Sequence, residues 1–220
     1  MNTVPKLRAY QNCTYTKQQA VALMQEHRRL DHIIQGTYAS TGEGSKFKGC
    51  LVGCATAGDH FAFKAAFGIP ESVAVLADRI FERQAADTAA NFAVEFFEVI
   101  QAGADLSTVL PTFSATLIRQ AIKDLPETPE REAAAHIASL FEKEAGHQAV
   151  TAQEWSEARA RARARALASD LALASDLASS LDLALDRALY LALALDRALD
   201  RALDLKAAFF AALSSQAVPI

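Results

Sequence analysis

The chain has 220 residues, 51% hydrophobic and 22% charged, which is enough apolar material for one substantial core plus an appendage and excludes a disordered chain. Its net charge of −4 is scattered along the whole length, and no basic stripe is available to neutralise a phosphate backbone, so bulk nucleic acid is excluded as a partner. The first eight residues carry no apolar segment behind their positive charges, and no uncharged apolar run approaches the roughly 18 residues that span a bilayer; with an odd set of cysteines, Cys13, Cys50 and Cys54, this predicts a reduced, cytoplasmic protein, neither exported nor membrane-embedded.

The first helix signal is Thr16-Lys17-Gln18-Gln19, a capping box in which the Thr hydroxyl takes the amide three residues on and Gln19 reaches back. Leu23, His27, Leu30 and Ile34 follow on one face, and Gly36 is expected to end the helix. From Gly36 to Gly53 the chain is rich in Gly, Ser and Thr and closes on a short alternating stretch, the one place where a small β-hairpin is expected. Pro70 then precedes Val73, Leu76, Ala77 and Ile80 on one helical face. Phe92, Phe96 and Val99 form the next face, while Val94 and Phe97 point elsewhere, the pattern of a central helix closed by Gly103. Pro111 opens a helix bearing Phe113, Leu117 and Ile122, and Thr128-Pro129 opens another bearing Ile137, Leu140 and Phe141 and ending near Gly146. These elements predict an all-α domain over residues 1–150.

Residues 151–220 differ in kind. Thr151 to Glu154 is a second capping box, and neither Gly nor Pro follows until Pro219. The every-second-residue alternation of ARARARAL mimics a strand, but Ala, Leu and Arg are the best helix formers and Ala and Asp poor strand formers, so a helix is expected. Leu177, Leu181, Leu185, Ala188, Leu191, Leu195, Leu199 and Leu203 share one side; their mean spacing of about 3.7 is close to an eleven-residue repeat. A continuous helix would run on the order of 90 Å. It therefore either folds back near Ser179-Ser180 as a hairpin or dimerises, giving a homo-oligomer through the C-terminal helix, with Leu191 and Leu195 in the seam.

Several clusters carry candidate chemistry. Cys50-Leu51-Val52-Gly53-Cys54 with His60 offers three metal ligands, His32 or His27 being a possible fourth. Alternatively Cys54 is a nucleophile activated at the start of the following helix, with His60 or His27 as base; the same residues also fit two inert cysteines packed among glycines. His27 and Asp31, one turn apart, present the imidazole–carboxylate pair that a general base needs, or a histidine satisfied at the edge of a core. The loop Thr41 to Gly49 supplies backbone amides, hydroxyls, Lys46 and Lys48, the ingredients of an anion cradle or of a plain exposed loop. It matches neither the phosphate-loop nor the dinucleotide pattern.

The segments Gln35-Gly36-Thr37-Tyr38, Gly49-Cys50-Leu51-Val52-Gly53-Cys54, Gly68-Ile69-Pro70 and Asp78-Arg79-Ile80-Phe81-Glu82, followed by the single Trp155 and an alanine-rich tail, resemble a family of uncharacterised bacteriophage and prophage proteins. The tail departs from that family in having Leu in place of most of its Trp and Tyr. The resemblance implies a non-enzymatic phage accessory protein that acts by binding, and a role in countering host defence by sequestering a small anionic, nucleotide-type signal. Lys46, Lys48 and Arg79 are the expected ligand-binding residues, with no cofactor. A cysteine-dependent enzyme and a helical oligomerisation protein are the alternatives.

Overall fold

A computed structural model of the chain describes residues 6–37, 39–40, 47–168 and 205–216. These are mainly helical, as expected: α1 (Lys17–Arg29), α2 (Leu51–Ala55), α3 (Phe63–Phe67), α4 (Glu71–Phe81), α5 (Ala86–Val99), α6 (Val109–Ile122), α7 (Pro129–Ala145), α8 (Ala152–Ala168) and α9 (Leu205–Ser214). A two-residue antiparallel pair, β1 (Ala39–Ser40) with β2 (Lys48–Gly49), sits where the small hairpin was expected. By contact density the chain forms two units, residues 1–107 with 213–220 and residues 108–212. The compositional change near residue 150 falls inside the second unit. Lys46 and the tail positions from Leu177 to Leu203, Leu191 and Leu195 included, lie outside the described residues. Among those that are described, no helix is long and apolar enough to cross a membrane.

The first unit is built on phenylalanines. Phe67 packs against Phe63 and Phe97 with ring centroids 4.9 and 5.1 Å away, and Phe96 meets Phe97 edge-on at 5.0 Å. Phe92, Phe96 and Phe97 are fully buried on α5, which makes it the central helix that its many-sided apolar pattern predicts. The last carbonyls of any helix lack internal partners. Here the Tyr10 hydroxyl donates to the Phe97 carbonyl at 3.0 Å and the Lys17 ammonium to that of Glu98 at 2.7 Å. The segment carrying Tyr10 passes close to the end of α3, where the Tyr10 amide donates to the Phe67 carbonyl at 2.8 Å. Gly68 makes this approach possible: its φ is +66°, and a Cβ there would lie 2.2 Å from the Arg8 carbonyl oxygen.

α1 starts on the expected capping box, with the Gln19 amide on the Thr16 hydroxyl and the Thr16 amide on the Gln19 side chain. It ends earlier than expected, at Arg29 rather than at Gly36. The cause lies beyond the helix. The Gly49 amide donates to the His32 carbonyl and the Ile34 amide to the Gly49 carbonyl, both at 2.9 Å, so residues 32–34 satisfy their backbone by pairing with β2. Asp31 makes the turn with φ +53°.

The second unit follows the helical period directly. Ala115, Ile118 and Ile122 of α6 form one cluster with Ile137, Ala138, Leu140 and Phe141 of α7 and with Trp155 and Ala158 of α8. Phe141 and Trp155 meet edge-on at 4.9 Å, and the indole N–H donates to the Glu144 carboxylate at 3.1 Å. The caps at Thr128 and Thr151 form as expected: the Arg131 amide donates to the Thr128 hydroxyl, and the Glu154 amide to the Thr151 hydroxyl while Glu154 takes the Thr151 amide.

Candidate functional site

Cys50 is the N-cap of α2, and its sulfur accepts the Gly53 amide at 3.3 Å. After α2 the backbone reverses through two left-handed residues, Ala57 and Gly58, and Asp59 caps the 3-10 turn His60–Ala62 by accepting the Phe61 amide at 3.1 Å. That reversal returns His60 to the start of α2, where its Nε2 lies 3.6 Å from the Cys50 sulfur. From α4, Asp78 accepts the Val52 amide at 3.3 Å, and its negative charge acts on the Cys50 thiol. A thiol, an imidazole and a carboxylate therefore converge on residue 50.

The thiol on which the sequence centred its nucleophile lies elsewhere. Cys54 is inside α2, not at the start of the following helix, and it points its sulfur at the carbonyls of His32 and Gly49, each 3.4 Å away. Burial, reinforced by the negative charge of Asp78, pushes both the Cys50 and the Cys54 thiols up to about 12. This opposes the helix-terminus activation expected for Cys54. Both thiols are protonated in neutral solution.

The expected His27–Asp31 couple is also replaced. Because α1 stops at Arg29, Asp31 leaves the helical register, and the ring that meets His27 is that of His32, with Nδ1 to Nδ1 at 3.1 Å. The Nε2 of His32 is buried and has no hydrogen-bond partner among the described residues. Burial, then the neighbouring His32, lowers the pKa of His27. Phe47, just before β2, lies against His27 with ring centroids 5.9 Å apart. Among the described residues no group of three or more His, Cys, Asp or Glu side chains is arranged to hold a metal ion; Cys50, Cys54 and His60 do not form one.

Of the expected anion-binding residues, Lys48 is exposed on β2 and Arg79 is exposed in the last turn of α4. Neither has an ion-pair partner among the described residues. β2 packs on α2, and α2 on α4. The turn before the hairpin is bound to the end of α4: the Gln35 side-chain Nε2 donates to the carbonyls of Phe81 and Gln84, and the Gly36 backbone amide to the Glu82 carboxylate, all within 2.9 Å.

Two partnerships escaped sequence reasoning. Asp78 reaches the cysteines from a helix more than twenty residues downstream, with no local signal beyond its place in the Asp-Arg-Ile-Phe-Glu segment. The His27–His32 pair has the spacing of one long helical turn, but it forms only because the helix ends between the two residues. Compared with protein families, with curated proteins and with solved structures, the chain matches none.

Proposed function

We propose that the chain is a non-enzymatic binding protein that takes a small anionic ligand of nucleotide type on the face formed by β2 and the end of α4, through Lys48 and Arg79 together with Lys46. The observation that carries this reading is the pair of exposed cations without ion-pair partners among the described residues, on two elements that pack on the same short helix. A salt bridge to phosphate is worth most where the cation has no competing carboxylate. The buried thiols support binding over covalent chemistry, because a sulfur whose pKa is pushed up to about 12 holds almost no thiolate in neutral solution. The resemblance to phage proteins supports placing this activity in the countering of host defence. The test is a thermal-shift series with mono-, di- and cyclic nucleotides. Binding to the folded state raises Tm with ligand concentration, and the rise is expected to shrink in Lys48→Ala and Arg79→Ala, whose own melting is unchanged because the side chains are exposed. No shift with any member of the panel removes the reading.

The cysteine-dependent alternative retains one supporting observation, the 3.6 Å approach of His60 to Cys50. It transfers the nucleophile from Cys54 to Cys50, and rapid, selective alkylation of Cys50 near neutral pH is its signature. The third reading, oligomerisation through the C-terminal helix, depends on leucines outside the described residues.

A further inference from the structure

We propose that His27 and His32 form a proton-sensitive clasp that holds Phe47 and the strand β2 to the end of α1 in neutral solution and releases them in acid. The geometry carries this. Two Nδ1 atoms 3.1 Å apart can share only one proton: one imidazole donates and the other must present a lone pair. A second proton on the pair sets two N–H groups and two positive charges against each other at that distance. The structure offers the charged pair little help, since the remaining nitrogen of His32 is buried without a partner among the described residues, and a buried N–H left unpaired is costly.

The surroundings do not reverse this. On α1 the nearest carboxylate, Glu26, is exposed and already held by both Arg29 nitrogens at 2.6 and 2.7 Å. Asp31 sits in the turn with φ +53°. α2 presents Cys54, whose protonated thiol faces the His32 carbonyl, and β2 carries the cation Lys48. On α5, Asn91 is taken by Arg28 and the Glu98 carboxylate by Gln25. No uncommitted anion on these elements is bonded to either ring.

The pair also lies at the junction it would control. The His32 amide donates to the His27 carbonyl at 3.0 Å, the His32 carbonyl accepts the Gly49 amide, and Phe47 rests on the His27 ring. The depressed pKa of His27 gives the sign: the unfolded chain binds a proton in a range where the folded chain does not. The stabilisation is therefore complete above the ordinary histidine value of about 6.5 and declines as pH falls below it towards the folded value. Lys48 rides on the same strand, so a regulatory effect on ligand rests on the anion-binding reading, whereas the clasp does not.

The test uses the full chain without ligand. Hydrogen-exchange protection of the Gly49 and Ile34 amides is compared between about pH 7.5 and about pH 5.5, spanning the histidine range, in wild type and in His27→Asn. The Asn oxygen occupies the place of an imidazole Nδ1 and accepts from His32 Nδ1–H whether or not His32 is charged, so the clasp persists in acid. Wild type is expected to lose protection at both amides severalfold, in the direction set by the lowered pKa of His27, while the variant loses none. Equal losses in the two proteins, or undiminished wild-type protection, overturn the proposal. If His27→Asn does not fold, imidazole nitrogen NMR of the wild type decides. One Nδ1-protonated and one Nδ1-unprotonated ring at neutral pH are expected; protons only on Nε2 of both rings overturn the clasp.

Discussion

In the second unit three consecutive helices, α6, α7 and α8, each pack on the next, and their ion pairs stay at the surface: Arg119 pairs with Glu142 and Lys143 with Glu154 where both partners meet water. In the first unit the contacts that matter join residues far apart in sequence, and many are polar. Tyr10 reaches the end of α5, Gln35 the end of α4, and Asp78 the start of α2. The contrast follows from what each segment must satisfy. A helix of full length closes its own backbone hydrogen bonds, and packing needs only an apolar stripe. The short elements of the first unit leave many amides and carbonyls open, which must find partners across the unit. Those same demands place thiols, imidazoles and carboxylates side by side, and the candidate site lies there.

Glycine substitution gives the largest expected difference between the two regions. Gly68→Ala places a methyl against the Arg8 carbonyl at 2.2 Å in a left-handed residue, and should cost well over the roughly 1–2 kcal/mol of the backbone conformation alone. Gly146→Ala ends α7 at φ −81°, with the nearest atoms at 3.5 Å, and should be neutral within about 0.5 kcal/mol. Urea unfolding of both variants measures this, and comparable losses would erase the distinction. Hydroxyl deletion should then act with opposite signs. Tyr10→Phe leaves the Phe97 carbonyl without its buried donor and should cost about 1 kcal/mol or more. Ser114→Ala, in the second unit, removes a buried hydroxyl that has no hydrogen-bond partner among the described residues and should raise Tm, the opposite outcome, with a gain of about 1 kcal/mol. The smallest effect belongs to the surface pairs. Arg119→Ala breaks a bidentate contact between side chains each nearly half exposed and should cost about 0.2–1 kcal/mol, an effect reduced by salt. A loss as large as that of Gly68→Ala would mean that surface ion pairs, not the apolar cluster, hold this unit.

The sequence by itself determined most of the longer helices and their N-terminal caps, but not α2, which begins inside the stretch read as non-helical. Thr16, Thr128 and Thr151 bind the amides three residues on because such caps are local, and Val73, Leu76, Ala77 and Ile80, or Ile137, Leu140 and Phe141, are buried because helical periodicity alone selects that face. Tertiary structure decided where α1 stops, and with it the chemistry that follows. Competition from β2 for the backbone of residues 32–34 ends the helix before Asp31, which removes that carboxylate from His27 and puts His32 in its place. Likewise the spacing of Cys50, Cys54 and His60 is visible in the chain, but which thiol meets the imidazole depends on the turn at Ala57 and Gly58. That both thiols are held protonated depends on burial and on Asp78, which arrives from another helix. Caps and periodicity act over one or two turns and can be read from neighbours in sequence; burial and facing charge are set by segments that meet only when the chain is folded.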